Sequence, residues 1–119
     1  MVTELTPIER EDEIDALLKE STARPVVIFK SSQTCGTSAY VADELRNYLA
    51  GHPANAHYTI VTVQTHRKAS NAIASRLGVR HETPQLIVVH DGKVAWHGSH
   101  FHVTADVIAK ALTATLASR

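Results

Sequence analysis

Apolar residues along the chain recur first at helical spacing. Ile14, Leu17 and Leu18 fall on one face, while Glu11, Asp12, Glu13 and Asp15 take early, solvated positions. Thr6-Pro7-Ile8-Glu9 has the form of a capping box with proline in the first turn, so the helix is expected to open there or, a few residues later, near Glu11. Arg24-Pro25 breaks it. Val26-Val27-Ile28-Phe29 is a continuous apolar run, the mark of a strand covered on both faces, and a polar stretch from Lys30 to Thr34 follows. Gly36 to Ala50 is helical again, with Ala42, Leu45 and Leu49 in phase, Gly51 as a stop and Pro53 beyond it. Tyr58 to Val63 reads as a strand and Lys68 to Leu77 as a helix carrying Ala69, Ile73 and Leu77 on one face. Gln85 to Val89 and Lys93 to His97 are strands joined by the tight-turn pair Asp91-Gly92. Thr104 or a residue near it caps a last helix whose Ile108, Ala111, Leu112 and Leu116 are expected to face the core.

The resulting order, α-β-α-β-α-β-β-α, contains no internal repeat, low-complexity tract or linker. It predicts one α/β domain over residues 1–119, with a sheet covered on both faces and its last two strands antiparallel. A hydrophobic fraction of 44% is ordinary for a globular chain and argues against disorder.

Twelve Lys and Arg against twelve Asp and Glu give a net charge of zero. Nucleic-acid and polybasic membrane binding both need excess positive charge, so neither is expected. No apolar run approaches the roughly 20 residues that span a bilayer, and Met1 to Thr6 lacks the layout of a signal peptide. A single cysteine excludes an internal disulfide framework and a cysteine-rich metal site built by one chain. These features predict a cytoplasmic domain with one thiol.

That thiol, Cys35, stands at the start of the second helix, just after the first long strand. Unpaired amide N–H groups and the positive end of the helix dipole favour a thiolate there. A free cysteine is often a small, inert core residue. The flanks here, Gln33, Thr34, Thr37 and Ser38, are polar and wrong for a core position. Ser38, three residues on, is either an ordinary first-turn residue or a polar support whose hydroxyl reaches the sulfur or a nearby backbone group. Thr83-Pro84, just before the Gln85 strand, is the second signal; by itself it marks an edge or a turn.

Taken together, the cysteine motif after a central strand, the Thr-Pro before a later strand, the Asp-Gly hairpin and the terminal helix resemble the thioredoxin fold over essentially the whole chain. More narrowly, Ile28-Phe29-Lys30-Ser31-Ser32 followed by Thr34-Cys35-Gly36-Thr37-Ser38 resembles the monothiol bacilliredoxins, the bacillithiol-linked YtxJ-like family. The resemblance implies a thioredoxin-like fold with a central mixed sheet. It implies Cys35 as the redox residue, with Ser38 where a dithiol thioredoxin has its second cysteine. It further implies a cis Pro84, with the Thr83 backbone pairing with an extended substrate. Gly36 and Thr37 depart from the Pro-Ile type of pair expected in that family. Cys-Gly-Thr-Ser differs by one residue type from the Cys-Gly-Phe-Ser of monothiol glutaredoxins that bind an iron–sulfur cluster.

Without a second cysteine the chain lacks an internal resolving thiol. Cys35 is expected to attack a mixed disulfide on a protein, take over the small thiol, and await an outside thiol. The resemblance implies bacillithiol as that co-substrate, while the residues alone imply some small thiol, with no permanently bound cofactor. Arg80 and His81, just before Thr83-Pro84, are expected to meet carboxylates of the small thiol or to stabilise the thiolate; their alternative is a basic pair complementing a helix end. Lys30 is a further candidate on the same argument, and Trp96, alternating with Val94, is expected in the core. Of eight histidines, three gather in His97-Gly98-Ser99-His100-Phe101-His102, which reads as a solvated loop and not a metal site. Two other readings stay open: an iron–sulfur carrier in which two chains share a cluster through Cys35, and a redox-silent adaptor.

Overall fold

In the computed structural model, which describes residues 4–118, five strands form one sheet in the order β1-β3-β2-β4-β5. Met1–Thr3 and Arg119, which the 1–119 reading includes, lie outside the described residues. The strands are β1 (Thr6–Pro7), β2 (Val26–Ser31), β3 (His57–Thr62), β4 (Gln85–His90) and β5 (Lys93–Ser99). The helices are α1 (Glu11–Glu20), α2 (Gly36–Ala50), α3 (Arg67–Leu77) and α4 (Ala105–Ala117). β1, β3 and β2 run parallel, while β4 and β5 are antiparallel to their neighbours, which makes the sheet mixed.

The strands alternate between two cores. Val26, Ile28, Ile87 and Val89 pack with Ile14, Ala69 and Ile73 of α1 and α3. Val27, Phe29, Leu86 and Val88 pack with Val41, Leu45, Ile108 and Leu112 of α2 and α4. β2 and β4 therefore read as continuous apolar runs because both faces are covered.

Four details differ from the sequence reading. Thr6-Pro7 does not open α1; it pairs with Thr59 and Ile60 of β3 as a short edge strand, where the missing proline N–H costs no ladder bond. The Ile8 N–H bonds to the Ile60 carbonyl at 2.8 Å, and the Ile8 side chain is buried. Helix entry falls to Glu13, whose carboxylate accepts the N–H groups of Glu9 and Arg10. Lys30 and Ser31 belong to β2 instead of a polar loop, because both edges of β2 find partners that far along, Val61 and Thr62 in β3 and Gln85 in β4. Gly98 and Ser99 extend β5 opposite Leu86 and Gln85, and a single helical turn, His100–His102, follows. Leu116 is exposed; the buried stripe of α4 ends instead at Thr115, whose hydroxyl donates to the Ala111 carbonyl at 2.8 Å.

Trp96 is half-buried against the α2/α4 core. Its ring lies across Gly98 so closely that a Cβ there would sit 2.6 Å from it, which is why that position has no side chain. Asp91 and Gly92 both adopt positive φ, 54° and 73°, as a tight hairpin turn requires.

Stability should follow this layering. Ile87→Ala empties a fully buried site in β4 and should cost about 2–5 kcal/mol. Thr104→Ala removes only the side-chain cap that accepts the Val107 N–H, at about 1 kcal/mol. Urea unfolding midpoints of the two variants against the parent protein measure both.

Candidate functional site

Parallel β1, β3 and β2 end at the same edge of the sheet, so the segments after β2 and β3 meet there. β4 runs the other way and starts at that edge. The Lys30–Gln85 pairing then sets Pro84 next to the end of β2. The Cys35 segment, the turn holding Thr83-Pro84 and the loop after β3 thus converge.

Cys35 is the residue immediately before α2, in extended conformation with φ −103° and ψ 120°, and it is half-buried and free. The Ser38 backbone N–H, then that of Thr37, holds its pKa below the usual thiol value. The Thr37 and Ser38 hydroxyls add to this, and a desolvation effect opposes it. Charge-assisted bonds from helix-start amides stabilise the thiolate more than the thiol. Thr37 is half-buried; Thr34 and Gly36 are exposed, and a Cβ at Gly36 would meet nothing. Ser38 is buried, and its Oγ accepts the Ser32 N–H at 3.0 Å, pinning the segment that leads to Cys35.

Gln64, which the sequence reading passed over, clamps that segment from the other side. Its Oε1 accepts the Gln33 N–H at 3.1 Å, and its Nε2 donates to Ser32 Oγ at 2.6 Å and Thr34 Oγ1 at 3.3 Å. The Val63 N–H bonds to the Ser31 carbonyl just before it. A polar residue two positions beyond β3 was the one local signal, and its partners lie about thirty residues away in the chain.

Across the edge, the Thr83-Pro84 peptide is cis, Pro84 is buried, and its carbonyl accepts the His100 N–H at 3.1 Å. Arg80 is exposed, and its carbonyl accepts from Gln85 Nε2 at 3.0 Å. His81 Nδ1 lies 2.7 Å from Lys30 Nζ. Lys30 is fully buried, and burial lowers its ammonium to about 8. His81 is lowered as well, by burial first and then by the charges of Lys30 and Arg67, with Glu82 opposing. At neutral pH the contact is therefore a lysine ammonium donating to a neutral imidazole, whose own proton sits on Nε2.

His97, His100 and His102 are exposed, and among the described residues no three His, Cys, Asp or Glu side chains form a group that could hold a metal ion. No described helix is long and apolar enough to cross a membrane.

Several solved structures share this architecture. One described as a candidate oxidoreductase with a thioredoxin fold superposes with a TM-score of 0.79 at 25% identity, covering 90% of this chain and 92% of that one. Thioredoxin from Trypanosoma brucei brucei gives 0.77 at 12% identity, over 98% and 95% of the two chains. A mutant thioredoxin from Halobacterium salinarum gives 0.71 at 17% identity, over 94% and 90%. The expected fold is the observed one: thioredoxin-like, with a central mixed sheet and helices on both faces. The family model described as monothiol bacilliredoxin BrxC matches residues 6–108. With that match running from β1 into α4, the chain belongs to the monothiol bacilliredoxins, thiol oxidoreductases of the thioredoxin fold.

Proposed function

We propose that the protein removes bacillithiol from mixed disulfides on other proteins, in the cytoplasm, through Cys35. The Cys35 thiolate attacks the small-thiol sulfur of the mixed disulfide. A bond from Cys35 to that sulfur forms as the old disulfide breaks, and the target protein's thiolate leaves and takes a proton from water. A second molecule of the small thiol, as thiolate, then attacks the adduct, releasing Cys35 and a symmetric small-thiol disulfide. No net oxidation falls on the protein; the outside thiol is the reductant.

The observation that carries this reading is the sulfur's setting, half-buried at the start of α2 with its acidity raised by the Ser38 and Thr37 N–H groups. A more acidic thiol is more ionised at neutral pH and also a better leaving group when the adduct is resolved. Ser38 supports the sulfur and the Ser32 backbone, and its hydroxyl is far too weak an acid to resolve the adduct itself. Thr34, Gly36 and Thr37 frame the approach to the thiol. In this reading the Thr83 backbone beside Pro84 pairs with an extended stretch of the target protein, and Arg80 and His81 face the carboxylates of the small thiol.

Two measurements test the chemistry. Iodoacetamide alkylation of Cys35 should rise with pH through a midpoint below the free-thiol value of roughly 8.5, because the folded chain favours the thiolate. A midpoint at or above that value contradicts the reading and favours a redox-silent adaptor. Oxidised bacillithiol should add once per chain, and not at all to Cys35→Ser. In Ser38→Cys the adduct should instead resolve to an internal disulfide, because a pair three residues apart at a helix start lies within bridging reach. A persistent adduct in Ser38→Cys would show that the two positions are not arranged for exchange.

A further inference from the structure

The end of the sheet away from Cys35 carries a gap that its own side chains leave open. β4 runs from Gln85, next to Pro84 at the reactive edge, to His90 at the far edge. Just before His90 the ladder between β4 and β5 slips. Val88 pairs with Trp96 but Val89 with Val94, which makes Ala95 the extra residue of a bulge. Against that bulge lies the last part of α4 with its cap, where Ala111, Ala114, Thr115 and Ser118 recur at helical spacing. These small residues do not reach the sheet as Ile108 and Leu112 do. A cleft of about 300 Å³ therefore stays open between α4 and β5, room for a substituted benzene ring.

Small residues alone would be ordinary packing, but His90 adds chemistry to the cleft. Its side chain lines the cleft and is only 8% exposed, yet Nε2 is buried with no hydrogen-bond partner among the described residues. A ring nitrogen left dry and unpaired costs stability, so packing does not account for it. The Asp91 carboxylate lies 3.7 Å from Nδ1 and draws the imidazole proton to that side, which leaves Nε2 as an acceptor. The cleft's two hydroxyls are acceptors as well. Thr115 and Ser118 donate their protons to the Ala111 and Ala114 carbonyls, at 2.8 and 2.9 Å. Trp96, half-buried, supplies an aromatic wall. Ala95, Ala114 and Ser118 are exposed, so the rim can yield as a ligand settles on the nitrogen.

We propose that this cleft binds a small, uncharged aromatic molecule with a hydroxyl donor, a phenol. The ring lies between Trp96 and α4, and its O–H donates to His90 Nε2. The polar side chains lining the cleft accept, so a carboxylate or phosphate finds no side-chain donor there. An ammonium would give up its water with no buried carboxylate in return, since Asp91 is exposed on the hairpin turn. The site is built at the opposite end of β4 from Pro84 and owes nothing to the thiol chemistry.

Trp96 is the chain's only tryptophan, so its fluorescence reports on the cleft directly. Titrating the full chain with 4-methylphenol should change that emission saturably. Amide NMR shifts in the same titration should centre on Ala95 and on the Ala111–Ser118 end of α4. 4-Methylanisole, the same ring with its hydroxyl capped, should bind about fivefold more weakly, the worth of one neutral hydrogen bond. His90→Phe keeps a ring but removes the acceptor, and there the two ligands should bind alike. Ala114→Leu, at the exposed rim, should fill the cleft and weaken both by about tenfold or more. Cys35→Ser should bind both as the parent protein does. Equal binding of the phenol and its ether in the parent protein, or a preference that survives His90→Phe, would overturn the proposal. So would binding that is lost in Cys35→Ser or kept in Ala114→Leu, or no saturable change with either ligand.

Discussion

β2 hydrogen-bonds to a parallel strand on one side and an antiparallel strand on the other, and the chemistry of the molecule hangs from its carboxyl end. The parallel pairing brings the end of β3 to the same edge, so that Gln64 can clamp Ser32, Gln33 and Thr34. The antiparallel pairing brings the start of β4 there, so that Pro84 and the Arg80–Thr83 segment arrive opposite the cysteine's loop. Burial of both faces locks this register, since a one-residue slip would turn Val27 and Phe29 out of one core and Val26 and Ile28 out of the other.

The electrostatics of the site follow from that placement. Cys35 sits half-buried, so the cost of removing its charge from water is small beside the gain from the Ser38 and Thr37 N–H groups, and its acidity rises. Lys30 lies five residues earlier and inside the sheet, where the balance reverses: desolvation outweighs the single contact to His81, and its ammonium weakens to about 8. One edge therefore carries a thiol made more acidic and a lysine made less basic, for opposite reasons. Membership of the monothiol bacilliredoxins fits a site with one sulfur, where a buried serine hydroxyl organises the segment that a second cysteine would otherwise use for exchange.

Much of this was legible along the chain. Periodicity located α2, α3, α4, β2 and β4, because each buries a face whose spacing is written in its own residues. Cys35 at a helix start, Thr83-Pro84 before a strand, and the Asp91-Gly92 turn are local features set by local backbone chemistry. A resemblance resting on those same residues was enough to anticipate the family.

What only the tertiary structure decided are the pairings between residues far apart. Thr6-Pro7 reads as a helix start by propensity and becomes a strand because β3 offers an edge to bond to. Lys30 reads as the first residue of a polar loop and becomes a buried cation because β3 and β4 both extend that far, with His81, fifty-one positions later, covering its charge. Gln64 reads as an ordinary polar residue until the fold sets it against the cysteine's segment, thirty residues away. A sequence states which backbone conformations and which faces are favourable at short range, and those are its own determination here. Which distant groups share an edge, and so which charges meet, depends on strand order and register, a property of the packed whole.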